Sequence, residues 1–383
     1  MKVGFNRPTV TGRELAYIRE ALDNHHISGD GVFTRRCHTW LEGFVGAPRA
    51  LLTHSCTAAL EMAAMLCDLA PGDEVIMPSY TFSSTANAVV LRGAIPVFVD
   101  IRADTLNIDE TLIEAAITER TKAIFVVHYA GGACDMEAIM AIAARRGLVV
   151  VEDAAHALMA RCRGRPLGGF GHLAAFSFHE TKNFISGEGG ALIVNDPRFI
   201  VRAEIIREKG TDRSRFFRGE VDRYHWVDCG SSYLPSDIIA AFLFAQLEAA
   251  ESLLACRRAL WNRYYDGLAD LDAAGLIRRP IFAADCEHNA HLFYLLLADE
   301  VTRTALIAWL KDADIMAPFH YVPLHSAPAG RRFGRVSGRM RVTDGTAARL
   351  VRLPLWHDMT DEPDHVIDAI RGFFRSTQAA IPR

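Results

Sequence analysis

Short apolar runs that end in polar, ligand-type residues recur along the first half of the chain, and no other feature restricts the fold as strongly. They cover residues 50–53, 74–77, 96–99, 123–127, 148–151, 173–178 and 191–194. Each has strand length, and most lack an alternating polar face, as expected of strands covered on both sides. Helix-like stretches such as 58–67 separate them. Strand and helix in alternation mark a mostly parallel sheet. Such a sheet binds ligands outside the carboxyl ends of its strands. Standing there are Asp153, the pair His128-Tyr129, the turn His54-Ser55-Cys56-Thr57 and the stretch Pro78 to Phe82.

Run 173–178 leads into His179-Glu180-Thr181-Lys182-Asn183, and run 191–194 begins after Gly187-Glu188-Gly189-Gly190. A lone lysine is thereby held between two buried strands. With an ordinary pKa near 10.4 it is a poor nucleophile, but in a cleft it can be deprotonated and condense with a carbonyl. Taken alone, Lys182 reads as a solvated loop lysine, because most lysines are exposed. Asp153 shifts the balance. A carboxylate at a strand's carboxyl end can keep a pyridine nitrogen protonated, the ion pair that makes pyridoxal phosphate (PLP) an electron sink. The turn Ser55-Cys56-Thr57 ahead of helix 58–67 reads either as an anion site or as a plain N-cap.

The rest of the chain narrows the function by exclusion. At 383 residues it implies about two domains. A formal charge of −4 offers no basic footprint for nucleic acid. The expected partner is a small molecule. The first residues lack the apolar segment of a signal peptide, and no apolar run approaches the roughly 20 residues of a membrane span, so a cytoplasmic protein with no membrane association is expected. Eight cysteines with no C-x-x-C pair read as reduced thiols, and His25-His26, His320 and His325 lack ligand spacing, so no metal is expected. Gly168-Gly169-Phe170-Gly171 leads into a strand instead of following one into a helix, which makes it a turn and not a dinucleotide loop. The arginines and lysines of 201–223 read mainly as a solvated face.

Helix 12–22 is expected to bury Leu15, Ile18 and Leu22, which fall at helical spacing. One long helix is expected over 236–268, with Asp237 in its first turn and a domain boundary inside it, giving a large domain 1–245 and a small domain 246–383. The small domain reads as strand 292–297 with helices 302–311 and 364–374.

The stretches Asp153-Ala154-Ala155-His156, Ser177 to Asn183 and Gly187 to Gly190 together resemble the DegT/DnrJ/EryC1/StrS family of nucleotide-sugar aminotransferases. Phe5-Asn6, Gly29-Asp30-Gly31, Pro78 to Phe82, Arg207 to Thr211 and His320 to His325 extend the likeness over nearly the whole chain. The resemblance implies an α/β protein of PLP-dependent fold type I, aspartate aminotransferase-like. Its large domain would hold a mostly parallel seven-stranded sheet, beside a smaller α+β C-terminal domain. By the same resemblance Lys182 and Asp153 are catalytic, and Lys182, Asp153, His156, Ser177, Ser55, Cys56, Thr57 and Phe82 hold the cofactor, with Phe82 stacked on the pyridine face. Ser232 would reach the cofactor phosphate of a neighbouring subunit, making a homodimer with composite sites. Glu188, Lys209, His320 and Tyr321 would meet the substrate.

Two departures from the family's usual pattern stand out. Cys56 occupies a position where glycine is usual, and Gly230-Ser231-Ser232-Tyr233-Leu234 replaces Gly-x-Asn-x-Arg. The second departure is shared with the subgroup that makes dTDP-4-amino-4,6-dideoxygalactose for surface polysaccharides. That likeness implies transfer of an amino group from L-glutamate to C4 of dTDP-4-keto-6-deoxy-D-glucose, through the pyridoxamine phosphate form of the cofactor. A dTDP-3-ketosugar or a GDP-4-keto-6-deoxymannose acceptor is the alternative. Relatives that act as sugar dehydratases carry histidine at the lysine position, and a non-catalytic sensor would have no need of both Lys182 and Asp153.

Overall fold

The computed structural model describes residues 2–379. The strands of the first part are β1 (Arg49–Thr53), β2 (Glu74–Pro78), β3 (Ile95–Val99), β4 (Thr121–Val127), β5 (Val149–Asp153), β6 (Arg161–Cys162), β7 (Arg165–Pro166), β8 (Leu173–Ser177) and β9 (Gly190–Val194). The C-terminal part adds β10 (Cys286–Glu287), β11 (Phe293–Leu296), β12 (Arg335–Val336) and β13 (Leu350–Leu353). The main sheet runs β1-β9-β8-β5-β4-β2-β3-β12. From β8 to β12 every pairing is parallel, and β9 runs antiparallel to both β1 and β8.

The seven expected strands are thus joined by an eighth, β12, of two residues. A buried carboxylate holds it there. Arg335 Nε and Nη2 donate to Glu74 at 3.0 and 2.6 Å, and Glu74 also accepts from Thr118 Oγ1 at 2.8 Å. No sequence spacing announces a pairing across so many residues.

The runs are continuous because both faces of the sheet are covered. Ala50, Leu52, Ala174, Phe176, Ala191 and Ile193 pack with the helices Val32–Val45 and Asp237–Glu248. Leu51, Leu173, Ala175, Leu192 and Val194 face the helix Cys56–Leu66 on the other side. A third core gathers Leu260, Trp261, Tyr264, Phe293, Leu295, Val351, Leu353 and Val366 in the C-terminal part. Val3 belongs to that core and is bridged to Ile315, so the first residues of the chain pack on its C-terminal third.

Three expectations are corrected. The first helix, Glu14–Asp23, buries Glu14 and Ala21, whereas Leu15 is 81% exposed and Leu22 is exposed too. Glu14 is turned inward because its carboxylate accepts from the amides of Thr11 and Gly12 at 2.7 and 2.9 Å and from Gln246 Nε2 at 2.7 Å. That rotates the apolar stripe off the core. The expected helix 236–268 is two helices, Asp237–Glu248 and Ala250–Gly267, bent by 63°. The first lies in the core of the sheet and the second enters the C-terminal core. Cys162 and Cys286, expected as thiols, form a disulfide with sulfurs 2.34 Å apart, because β6 and β10 pair with these two residues directly opposite. Among the described residues no single helix is long and apolar enough to cross a membrane.

Candidate active site

The carboxyl ends of β2, β4, β5 and β8 open into a cavity of about 570 Å³. Lys182 enters it from the loop after β8. That loop is closed by its own backbone: Lys182 N donates to His179 O, Glu180 N to Gly187 O and Ser186 N to Phe178 O, each at 2.8 Å. The neighbouring Asn183 is buried and donates from Nδ2 to Asn289 O at 2.7 Å, while its Oδ1 lies 3.0 Å from His291 Nδ1. Lysine's own site is thereby fixed from the C-terminal part. Burial lowers the Lys182 pKa, with Arg352 adding to the effect and Cys56 and Asp153 opposing it.

Asp153 ends β5 and is buried. Its Oδ2 accepts from Thr85 Oγ1 at 2.7 Å and its Oδ1 from the Ala155 amide at 3.2 Å. Burial nevertheless raises its pKa, against those hydrogen bonds and the charge of Lys182. Such a carboxyl gains from a cationic partner. His156 is buried and stacked on His291, ring centroids 4.2 Å apart. Its Nδ1 accepts from the Ala130 amide at 3.4 Å, so the proton sits on Nε2. Burial and the charge of Lys182 hold it neutral, with a pKa well below the ordinary histidine value.

The turn Ser55-Cys56-Thr57 combines both readings open to it. Ser55 is the N-cap of helix Cys56–Leu66, and its Oγ accepts from Ala58 N at 3.1 Å. The helix's first amides have no intrahelical acceptor, and they sit at the positive end of its dipole, where an anion is favoured. Thr57 Oγ1 lies 2.7 Å from Ser84 Oγ, and Ser55, Cys56, Thr57, Ser84 and Ser177 all line the cavity. Behind the turn, β9 comes so close that a Cβ on Gly190 would lie 2.4 Å from Cys56 N and 2.5 Å from Ser55 O. Glycine is required there for the turn to seat against the sheet.

Phe82 lines the cavity and is 60% exposed, so it is not a core residue. Glu188, His320 and Tyr321 also line it, and His320 Nδ1 lies 3.0 Å from Tyr129 Oη. Two of the expected residues lie elsewhere. Lys209, expected at the substrate, does not line the cavity and is drawn to Glu208 instead, Nζ to Oε2 3.1 Å. Ser232, expected to serve a neighbouring subunit, is exposed and bridged to Glu208. The sequence reading missed Thr85, His291 and Arg352. Thr85 reads only as part of a helix, and the other two lie in or beside strands of the C-terminal part, far along the chain from the lysine.

The glycine-rich turn 168–171 has an internal anion. The amides of Gly168, Phe170 and Gly171 donate to the buried Glu152 carboxylate at 2.8, 2.7 and 2.5 Å, and His128 Nε2 lies 2.8 Å from Glu152 Oε2. Cys162, Asp285 and Cys286 bring their ligand atoms within 4.8 Å of one another, but the two sulfurs are bonded together and Arg163 pairs with Asp285 at 2.5 Å.

A half-buried amine, a buried carboxyl in want of a cation and a hydroxyl-lined helix N-terminus share one cavity. This donor set suits an aromatic aldehyde that carries a basic ring nitrogen and a phosphate. The sequence pattern of the DegT/DnrJ/EryC1/StrS aminotransferase family matches residues 8–371. The spore coat polysaccharide biosynthesis protein SpsC of Bacillus subtilis is 36% identical over 381 residues, covering 97% of each chain. Among solved structures, the putative sugar aminotransferase Spr1654 from Streptococcus pneumoniae in its PLP form superposes with a TM-score of 0.89 at 27% identity, over 98% of this chain and 99% of that one. Its PMP form gives 0.90 at 28% identity and the same coverage. The aminotransferase TlmJ from Streptoalloteichus hindustanus gives 0.89 at 28% identity, covering 98% and 100%.

Proposed function

Because this chain belongs to the DegT/DnrJ/EryC1/StrS aminotransferase family, we propose that it moves the amino group of L-glutamate to C4 of dTDP-4-keto-6-deoxy-D-glucose, giving dTDP-4-amino-4,6-dideoxy-D-galactose and 2-oxoglutarate. At the coarser level it is a PLP-dependent sugar aminotransferase. The observation that carries the proposal is the meeting of Lys182, Asp153, His156 and the Ser55–Thr57 turn in one cavity. The choice of acceptor rests on Gly230-Ser231-Ser232-Tyr233-Leu234, which departs from the family's usual motif in the way the dideoxygalactose subgroup does.

The residues present fit the cofactor. Bound here, PLP supplies an aldehyde for the amine and a ring that takes up the electron pair released when the donor carbon is deprotonated. Asp153, ionised, pairs with the protonated ring nitrogen. His156, with its proton on Nε2, would be a donor to the phenolic oxygen, and the amides and hydroxyls of Ser55, Cys56, Thr57 and Ser177 would take the phosphate. Phe82, which lines the cavity, would cover one face of the ring. Lys182 Nζ, made neutral more readily by burial, removes the proton from Cα of L-glutamate as a general base. In the second half of the reaction the same amine delivers a proton to C4 of the sugar. Glu188, His320 and Tyr321 line the mouth where the sugar enters.

The working unit is a homodimer in which Ser232 reaches the partner's site. Its exposure supports this, as does that of Phe217, Tyr224 and Trp226 nearby in sequence. A sedimenting monomer with full activity would exclude it. The acceptor is identified by incubating the enzyme with L-glutamate and a panel of dTDP- and GDP-linked ketosugars and reading the product by mass and NMR. Amination of a GDP-linked sugar alone would replace the acceptor proposed here.

A further inference from the structure

Behind the cavity stands a carboxamide that the chemistry described so far does not use. Asn289 is buried, just ahead of β11. Its Nδ2 donates to His156 O and to Leu158 O, each at 2.8 Å, so both amide hydrogens are spent on the stretch that carries His156. Its Oδ1 accepts from His291 N at 3.2 Å. The same oxygen lies against Gly131, where a Cβ would come within 2.1 Å of it and 3.2 Å of His156 O. The carboxamide thus fills the gap between the turn at 129–131 and the main chain of His156.

That gap governs where the proton of His156 sits. The stretch 154–160 belongs to no helix or strand. The turn facing it is pinned from another direction: Asn107 Oδ1 accepts from Tyr129 N at 2.9 Å, and Asn107 Nδ2 donates to Gly132 O and Ala133 O at 3.1 and 2.8 Å. With the Ala130 amide so fixed, its 3.4 Å contact with His156 Nδ1 depends on how the histidine's own main chain is held. A hydrogen bond of that length is near its outer limit, and a shift of a few tenths of an ångström loses it. Neutral imidazole is then free to carry its proton on either nitrogen. The stacked ring of His291 does not replace that control, because stacking orients a plane and does not distinguish the two nitrogens.

We propose that Asn289 is a positioning residue for His156: by tying residues 156 and 158 at a set distance from Gly131, it keeps the Ala130 amide on Nδ1 and the proton on Nε2. What that Nε2–H serves, the phenolic oxygen of the cofactor, rests on the aminotransferase reading; the tautomer itself does not.

The test reads the tautomer by NMR of apoprotein whose histidine rings carry the heavy nitrogen isotope. Wild type, Asn289→Ala, Asn289→Ser and Leu310→Ala are compared, and the His156 signals are identified by their absence from His156→Gln. Wild type should show His156 protonated on Nε2 alone, and Asn289→Ala a mixture of the two tautomers. Asn289→Ser should move the same way and less far, since its hydroxyl keeps one donor, and it carries the comparison where the alanine variant does not fold. Leu310→Ala opens the C-terminal core, in which Leu310 is fully buried, and lowers stability without touching Asn289; its His156 should match wild type. By equilibrium dialysis, PLP should dissociate from Asn289→Ala roughly two- to tenfold more readily, because only molecules with Nε2–H are competent and the ring is held less well. A wild-type His156 protonated on Nδ1, or a wild-type tautomer in the Asn289 variants, overturns the proposal. So does a mixture in Leu310→Ala, which makes the tautomer a casualty of lost stability in general. Mixed tautomers with unchanged PLP affinity also overturn it, since the proton's place then serves no cofactor. If Asn289→Ala scrambles the tautomer while wild type binds no PLP at all, the positioning of His156 stands and the aminotransferase reading falls.

Discussion

Replacing Asp153 by asparagine should stabilise the empty protein and cripple the loaded one. The carboxyl is buried, and its pKa is raised by that burial. A group whose folded pKa lies above its unfolded value contributes stability below the unfolded pKa and loses it as the pH rises through the folded one. Wild-type apoprotein therefore carries a destabilising charge at pH 8 that asparagine lacks. The substitution is nearly isosteric. Its amide can donate to Thr85 Oγ1, now 2.7 Å from Oδ2, while Thr85 turns its hydrogen to Thr81 Oγ1 at 2.9 Å. Apo Asp153→Asn should melt higher than apo wild type at pH 8 by about 1 °C or more, and the gap should close towards pH 4. With cofactor bound the sign should reverse, because in the proposed arrangement the carboxylate would face a pyridinium. Losing one side of a buried charge pair costs about 2–5 kcal/mol, which is roughly thirty- to several-thousand-fold in the glutamate half-reaction. Stopped-flow absorbance of the holoenzyme reads that rate, and calorimetry of both forms at several pH values reads the stability. Asp153→Ala reconstituted with N1-methylated cofactor, whose charge is permanent and for which the shorter side chain leaves room, should recover roughly tenfold or more of the rate. A fast Asp153→Asn enzyme, or an apo variant that melts below wild type at pH 8, would refute the pairing.

Lys182→Ala should retain PLP through the Ser55–Thr57 turn yet give no net transamination, and borohydride reduction of wild type should leave the pyridoxyl group on Lys182 when peptides are mapped. A label on any other lysine sinks the assignment. Gly190→Ala drives a Cβ to within 2.4 Å of Cys56 N, so the turn must shift; the cofactor should dissociate roughly tenfold or more more readily, by equilibrium dialysis, in a protein that still folds. Glu152→Gln leaves the buried donors of Gly168, Phe170, Gly171 and His128 without their anion and should cost about 3–5 kcal/mol by urea unfolding. His128 Nδ1 accepts from the Cys134 amide at 3.2 Å, so its proton sits on Nε2 and points at Glu152.

How far the sequence discloses this molecule follows from which interactions are local. Each strand of the main sheet from β1 to β9 coincides with an apolar run, because burial on both faces removes polar residues from the run itself. The rule that ligands sit at carboxyl ends then leads from β5 to Asp153 and from β8 to Lys182 without any knowledge of tertiary contacts. The first helix misleads because Gln246, far along the chain, joins the amides of Thr11 and Gly12 in drawing Glu14 inward, and the pattern of Leu15 and Leu22 carries no trace of that partner. The bend between Asp237–Glu248 and Ala250–Gly267 is equally silent, since neither proline nor glycine marks it and what divides the two helices is the core each one enters. Cys162 and Cys286 are separated by 124 residues and meet only because β6 and β10 align them. The same limit governs the site. Its first wall is built from residues that end strands of one sheet, and that wall is legible. The second wall, with His291 and Arg352, is carried by the C-terminal part, where each sits in or beside an apolar strand that would read the same in a core with no ligand at all. What sets Arg352 apart is its place on the wall of the Lys182 cavity, together with a buried Nε that has no acceptor, and both exist only once the chain has folded.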